Sequence, residues 1–113
     1  VYAAYSDDGG RSFGKDEKVQ DELGNDIPQW HATVAISAGG SVVAAWDDTR
    51  DETSDIWFST RVNKKWSDDD VWPEGSGDGA QTLPALLFES EILHVAWVVR
   101  KNKKSSIHYL YRK

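Results

Sequence analysis

The stretch Ser6-Asp7-Asp8-Gly9-Gly10-Arg11-Ser12-Phe13 decides how the rest of the chain is read. It lies between the apolar run Val1-Tyr2-Ala3-Ala4-Tyr5 and a polar run that ends at Val19. Its chemistry is that of a tight turn joining two antiparallel strands. A short carboxylate such as Asp8 accepts hydrogen bonds from the amides of its own turn. Gly10 supplies a backbone conformation that a Cβ disfavours. Phe13, leaving the turn, is expected to pack down and pin the corner. The flanks therefore read as strands over 1–5 and 12–19.

Working outward, the same punctuation recurs. Short runs rich in Val, Ile, Trp and Tyr alternate with Gly/Asp/Ser clusters, the pattern of many short antiparallel strands. Further strands are expected over 31–36, 42–46, 56–60, around Trp66, and over 83–88, 92–99 and 107–111. Loops are expected over 21–29, 47–55, 68–80 and 100–105. No window holds a helical period, so the fold class is all-β.

The strands repeat. Gln29-Trp30-His31-Ala32-Thr33-Val34-Ala35-Ile36 aligns with Gln81-Thr82-Leu83-Pro84-Ala85-Leu86-Leu87-Phe88. Val43-Ala44-Ala45-Trp46 aligns with His94-Val95-Ala96-Trp97, and Asp55-Ile56-Trp57-Phe58-Ser59 with Ser106-Ile107-His108-Tyr109-Leu110. Ser59, Arg61, Asn63, Lys65 and Trp66 read as a worn copy of the first turn, without its Asp and Gly.

The pattern S-x-D-x-G-x-S-F, held by Ser6, Asp8, Gly10, Ser12 and Phe13, resembles the Asp box of the sialidase-like (BNR-repeat) β-propellers. Trp46-Asp47-Asp48-Thr49-Arg50 followed by Asp55-Ile56-Trp57 is similar to a second segment of bacterial members. The resemblance implies four-stranded antiparallel blades, incomplete in one chain. Residues 1–20 would supply strands c and d of a partial blade, 29–68 a complete blade, and 81–113 strands a, b and c of a further one. Such an array covers its sheet edges only by closing a ring. It is therefore expected to belong to a longer chain or to close by homo-oligomerisation. A trimer is the simplest ring, although it leaves one c strand too many. A self-contained β-sandwich is the plainer alternative.

Composition bounds the partners. Thirteen basic against nineteen acidic residues give a net charge of −6, which argues against nucleic acid and anionic membranes. No run of apolar residues approaches membrane-spanning length. The absence of Cys removes disulfides and thiolate chemistry. The resemblance implies a secreted, cell-surface or periplasmic bacterial protein whose ligand is a glycan or a small molecule.

In a meander, successive turns alternate between two ends, and the longer b–c and d–a loops are expected at the end away from the Asp boxes. That end gives the candidate ligand residues Trp30, His31, Asp47, Asp48, Arg50 and Arg100, with Gln29 and Lys101 beside them. Arg50 could fork onto a carboxylate, and Asp47 or Asp48 could act as a general acid. The plainer reading pairs Asp48 with Arg50 inside the loop. Trp30 and His31 could stack on a sugar ring. Asp47, Asp51 and Asp55 form a weak Ca²⁺ candidate of oxygen ligands, without EF-hand spacing; otherwise no cofactor is expected. Gly75-x-Gly77-x-Gly79 opens no helix and so is not read as a phosphate loop.

Catalysis in the family needs three arginines, a Tyr nucleophile, a Glu and an Asp, and that set cannot be assigned here. The family's arginine motif before the first box is missing, and Arg11 and Arg61 fall at the box end. The function expected is therefore a non-catalytic carbohydrate-binding or structural module. A fragment of a sialidase-like glycoside hydrolase and a protein-interaction scaffold are the alternatives.

Overall fold

Val42-Val43-Ala44-Ala45-Trp46 carries no polar side chain on either face, and such a strand belongs in the middle of a stack, covered on both sides. In the computed structural model, which describes residues 1–20 and 27–113, that is its place. Residues 42–48 are all buried. Val43 and Ala45 face one way, into a core with Ile56, Trp72, Leu93, Val95 and Trp97. Ala44 and Trp46 face the other way, into a second core with Val19.

Three antiparallel sheets produce these two cores. Sheet I pairs β1 (Tyr2–Ala3) with β2 (Glu17–Lys18). Sheet II is the meander β3 (Gln29–Ile36), β4 (Val42–Asp51), β5 (Thr53–Val62) and β6 (Lys65–Trp66). A short β7 (Asp70–Val71) also pairs with β5, so two pieces share the outer edge of that strand. Sheet III is the meander β8 (Ala80–Glu89), β9 (Ile92–Lys101) and β10 (Lys104–Arg112). The sheets lie in the order I, II, III, with β8 packed across β3, β4 and β5. The described residues are thus all-β and antiparallel, and they form no closed barrel or ring.

Several expected loops turn out to be strand. Residues 47–55 extend β4 and β5 to a sharp reversal at Glu52, whose φ is 77° and whose N–H bonds the Thr49 carbonyl. Cross-strand pairing continues through Asp47 and Asp48, which find partners of their own, and resumes at Asp51 opposite Thr53 after a register shift. Residues 100–105, expected as a loop, instead form a two-residue reversal at Asn102-Lys103, with φ of 52° and 63°. Asn63-Lys64 does the same, with φ of 52° and 64°. Two successive positive φ values match the twist of the flanking strands. This corrects the reading of 59–66 as a worn copy of the first turn. Here the Ser59 hydroxyl bonds the Ser67 carbonyl at 2.7 Å, across the hairpin. The expected loop over 68–80 contains β7 and a single 3-10 turn at Pro73–Gly75. A Cβ at Gly75 would come within 2.9 Å of the Ile56 side chain, so the turn can press against the core only without one. Most of the expected loop over 21–29 lies outside the described residues, although Gln29 already belongs to β3.

The repeat has a backbone signature. Register shifts between Trp30 and Thr33 in the β3–β4 pair, and between Thr82 and Ala85 in the β8–β9 pair. Each bulge contains a non-glycine residue in the left-handed region, His31 at φ 54° and Leu83 at φ 57°. These two residues are aligned in the sequence repeat. A bulge bends its strand and re-aims the side chains around it.

The Ser6–Phe13 turn is built as its chemistry requires, with one exception. Asp8 Oδ1 accepts the Arg11 and Ser12 amides at 3.0 and 2.9 Å and the Ser6 hydroxyl at 2.7 Å. The Ser12 hydroxyl donates to Oδ2, and Ser6 Oγ accepts the Gly10 amide at 2.8 Å. Gly9 and Gly10 both have positive φ, at 75° and 87°. The exception is Phe13. It does not pin the corner but is 64% exposed.

The hydrogen bonds from Ser12, then Ser6 and Arg11, hold the Asp8 carboxyl at about 2, below its ordinary 3.8. A depressed carboxyl stabilises the folded turn above the unfolded value and loses that effect as pH falls through the folded one. Amide exchange at Arg11 and Ser12 is therefore expected to stay slow from neutral pH to about pH 4 and to lose protection towards pH 2. Asp8→Asn should remove that pH dependence. Protection that is indifferent to pH in the unsubstituted chain would show that Asp8 does not order the turn.

Candidate functional site

The end of the stack away from the Ser6–Phe13 turn gathers the start of β3, the β4–β5 reversal, the start of β8 and the end of β9. At the opposite end, the Gly39 amide bonds Glu91 Oε1 at 2.6 Å, tying the β3–β4 turn to the β8–β9 turn.

Asp47 is 2% exposed. Its Oδ2 meets His31 Nδ1 at 2.7 Å and accepts the Leu83 amide at 2.9 Å. One carboxylate thus holds both bulges and links sheet II to sheet III. A buried carboxylate needs such partners, since leaving it unpaired is costly. The His31 side chain keeps about half of its surface exposed.

Asp48 points to the other face of β4 and is fully buried. It accepts the Trp46 indole N–H at 3.0 Å and the Arg50 amide at 3.1 Å. Arg50 Nε and Nη2 bond it at 3.0 and 2.6 Å. Arg50 Nη1 pairs with Asp69 Oδ2 at 3.0 Å, and the guanidinium carbon sits 3.9 Å above the centre of the Trp57 ring. Burial alone would lower the pKa of Arg50, but the bonds to Asp48 and Asp69 outweigh it and raise that pKa. The guanidinium is therefore committed on its edge and on one face. A ligand carboxylate could take this fork only by displacing Asp48 or Asp69, and Asp48 is in no position to exchange a proton with substrate.

Asp55 lies directly across from Asp48 and is 5% exposed. Burial pushes its carboxyl up, neighbouring Asp51 and Asp48 add to this, and a bond from the Gly77 amide partly opposes it. Asp47 and Asp55 project from opposite faces of the sheet, since Asp47 pairs with Ile56 and Asp55 with Asp48. The Asp47, Asp51 and Asp55 set expected as a Ca²⁺ candidate is thus not brought together. Among the described residues no three acidic, His or Cys side chains are placed to hold a metal ion.

Of the remaining candidates, Trp30 is 59% exposed and Arg100 is exposed. Lys101 pairs with Asp78 at 3.1 Å, and Gln29 accepts from the Val1 ammonium at 3.2 Å. Leu83, beside this set, is 49% exposed. The structure therefore divides the candidates in two. Asp47, Asp48 and Arg50 are closed on internal partners, whereas Trp30, His31 and Arg100 remain open.

Sequence reading missed Asp69, Gln81 and Leu83. Asp69 sits in the Asp68-Asp69-Asp70 run, which looks like solvated loop. Gln81 accepts the Trp97 indole N–H at 2.7 Å and donates to the Asp78 carbonyl at 3.1 Å. The aligned pairs Gln29/Gln81 and Trp46/Trp97 were the available signal for it. No protein-family model matches the chain, and no curated protein or solved structure matches it either.

Proposed function

We propose that the chain is a segment of a sialidase-like β-propeller that serves as a non-catalytic, carbohydrate-binding module, completing its ring within a longer chain or by association. The propeller part of the reading is supported by stacked antiparallel meanders with aligned bulges at His31 and Leu83 and by the Ser6–Phe13 turn. One observation carries the functional part. The charged groups that catalysis or anion gripping would use, Asp47, Asp48 and Arg50, are satisfied internally, while an exposed Trp30 stands beside half-exposed His31.

An exposed indole offers a flat apolar face to the C–H face of a sugar ring, and His31 offers a polar edge for hydroxyls. Glycan-array binding by the 113-residue chain is expected, together with its loss in Trp30→Ala. No reporter should be released from fluorogenic sialosides. Turnover of such a substrate would overturn the non-catalytic reading. Glycan binding unchanged in Trp30→Ala would place the sugar elsewhere.

A further inference from the structure

The outward face of sheet III repeats, position for position, the face that sheet II buries. Ala35, Val43, Ala45 and Ile56 lie in the core between sheets II and III, with Phe58 packed against it. Their aligned counterparts on sheet III are Leu87, His94, Ala96, Ile107 and Tyr109. Cross-strand pairing puts these five on one face, His94 opposite Leu87 and Ala96 opposite Tyr109. That face is bare: Leu87 is 64%, Ile107 78% and Tyr109 59% exposed.

The face of sheet II that looks toward sheet I shows part of the complementary surface. Leu86 and Phe88 of β8 pack against the core between sheets II and III. Their counterparts on β3, Val34 and Ile36, are 58% and 61% exposed. They line a groove of about 380 Å³ between β1 and β3, together with Tyr2, Ala4 and Trp66. The molecule thus exposes one half of an interface that it already makes internally, and of the other half the β3 part, since Val42, Ala44 and Trp46 on the same face of sheet II are already buried, the last two against Val19.

We propose that the outward face of sheet III docks, head to tail, into the β1–β3 groove of a second copy. This deepens the association part of the function proposed above, and it is independent of whether Trp30 holds a sugar. A self-paired arrangement, sheet III on sheet III, would leave the groove empty and Val34 and Ile36 in water. The head-to-tail contact covers both patches and extends the internal sheet-to-sheet packing. A heterologous contact of this kind closes a ring or propagates as a filament, depending on the rotation between copies.

The test is light scattering coupled to size exclusion across a dilution series. The unsubstituted chain should show a mass at least twice the 12.7 kDa of one copy, falling on dilution. Ile107→Glu, which blocks the face, and Val34→Glu, which blocks the groove, should each run as single copies. Both positions are exposed in one copy, so near-ultraviolet circular dichroism should be unchanged. If either variant fails this check, Tyr109→Lys or Ile36→Lys replaces it. An equimolar mixture should recover a species of twice the single-copy mass, because each variant keeps the half that the other lacks. A single-copy mass for the unsubstituted chain at every concentration would overturn the proposal. So would association that survives Val34→Glu, since that indicates self-paired sheet III faces. Trp30→Ala should associate normally, so failure of sugar binding and failure of docking are read separately.

Discussion

Replacing Arg50 by alanine is expected to remove about 3–5 kcal/mol of stability, the cost of breaking a buried ion pair from one side. Domains of this size are stable by only about 5–15 kcal/mol, so Arg50→Ala should be largely unfolded at moderate urea concentration. The reason lies in what would be left behind. Asp48 has no solvent exposure and would keep only the Trp46 indole and the residue-50 amide as donors. Asp69, whose side chain is 1% exposed, would lose its pairing with Nη1. The Trp57 ring would lose a stacked cation, worth about 0.5–2 kcal/mol. Arg50→Lys should fall between, because an ammonium keeps the charge but reproduces neither the two-pronged contact nor the stacking. The double variant Asp48→Asn/Arg50→Met should lose less than the sum of the two single changes, since residues in one network are coupled. Urea denaturation followed by tryptophan fluorescence measures each of these variants and the two single changes. A loss below about 1 kcal/mol for Arg50→Ala, the range of exposed pairs, would mean that the fork is solvated and open to a ligand. The non-catalytic reading would then lose its main support.

How much of this was legible in the sequence depended on whether the information was local. The Ser6–Phe13 turn could be read because its hydrogen bonds all fall within five residues, and Asp8 and Gly10 are chosen by the backbone itself. The repeat was legible through Trp46 and Trp97, which recur because each fills the core of its own sheet-to-sheet contact. The length of β4 and β5 was not legible. Residues 47–55 are all polar, and nothing local reveals that Asp47 is held by Leu83, 36 residues away, or Arg50 by Asp69. Long-range partners turned a charged segment from loop into strand. The same cause divided the candidate site. Residue type marked Asp48, Arg50 and Trp30 equally, whereas only three-dimensional placement shows the first two tied to internal partners and the third open. Phe13 failed for the opposite reason. Its apolar character suggested cover, but two-stranded sheet I is too small to supply any.

Trp46→Ala should cost about 3–5 kcal/mol, as for other fully buried large aromatics, and its effect should reach every sheet. The ring lies between sheets I and II with no solvent exposure. It stands on β4, whose opposite face carries Val43 and Ala45 in the core shared with sheet III. Loss of the ring opens a cavity on one side of a strand that both cores use. The indole also donates to Asp48, so the substitution weakens the Arg50 network as well. Trp46→Phe separates the two contributions. It keeps most of the buried ring but removes the N–H, and should cost about 1–3 kcal/mol for a buried acceptor deprived of a donor. Trp97→Ala is the matched comparison. It is 3% exposed, lies on β9, and bonds Gln81 rather than an ion pair. Its cost should be similar in size but different in place. Sheet III is bare on its outer face and has an open edge at β10. Hydrogen exchange in Trp97→Ala should therefore rise first along β9 and β10, with β4 still protected, whereas Trp46→Ala should raise exchange in all three sheets together. The same exchange pattern in both variants would mean that the stack unfolds as one unit. Equal protection of β4 and β10 in the unsubstituted chain would then follow from the same cooperativity.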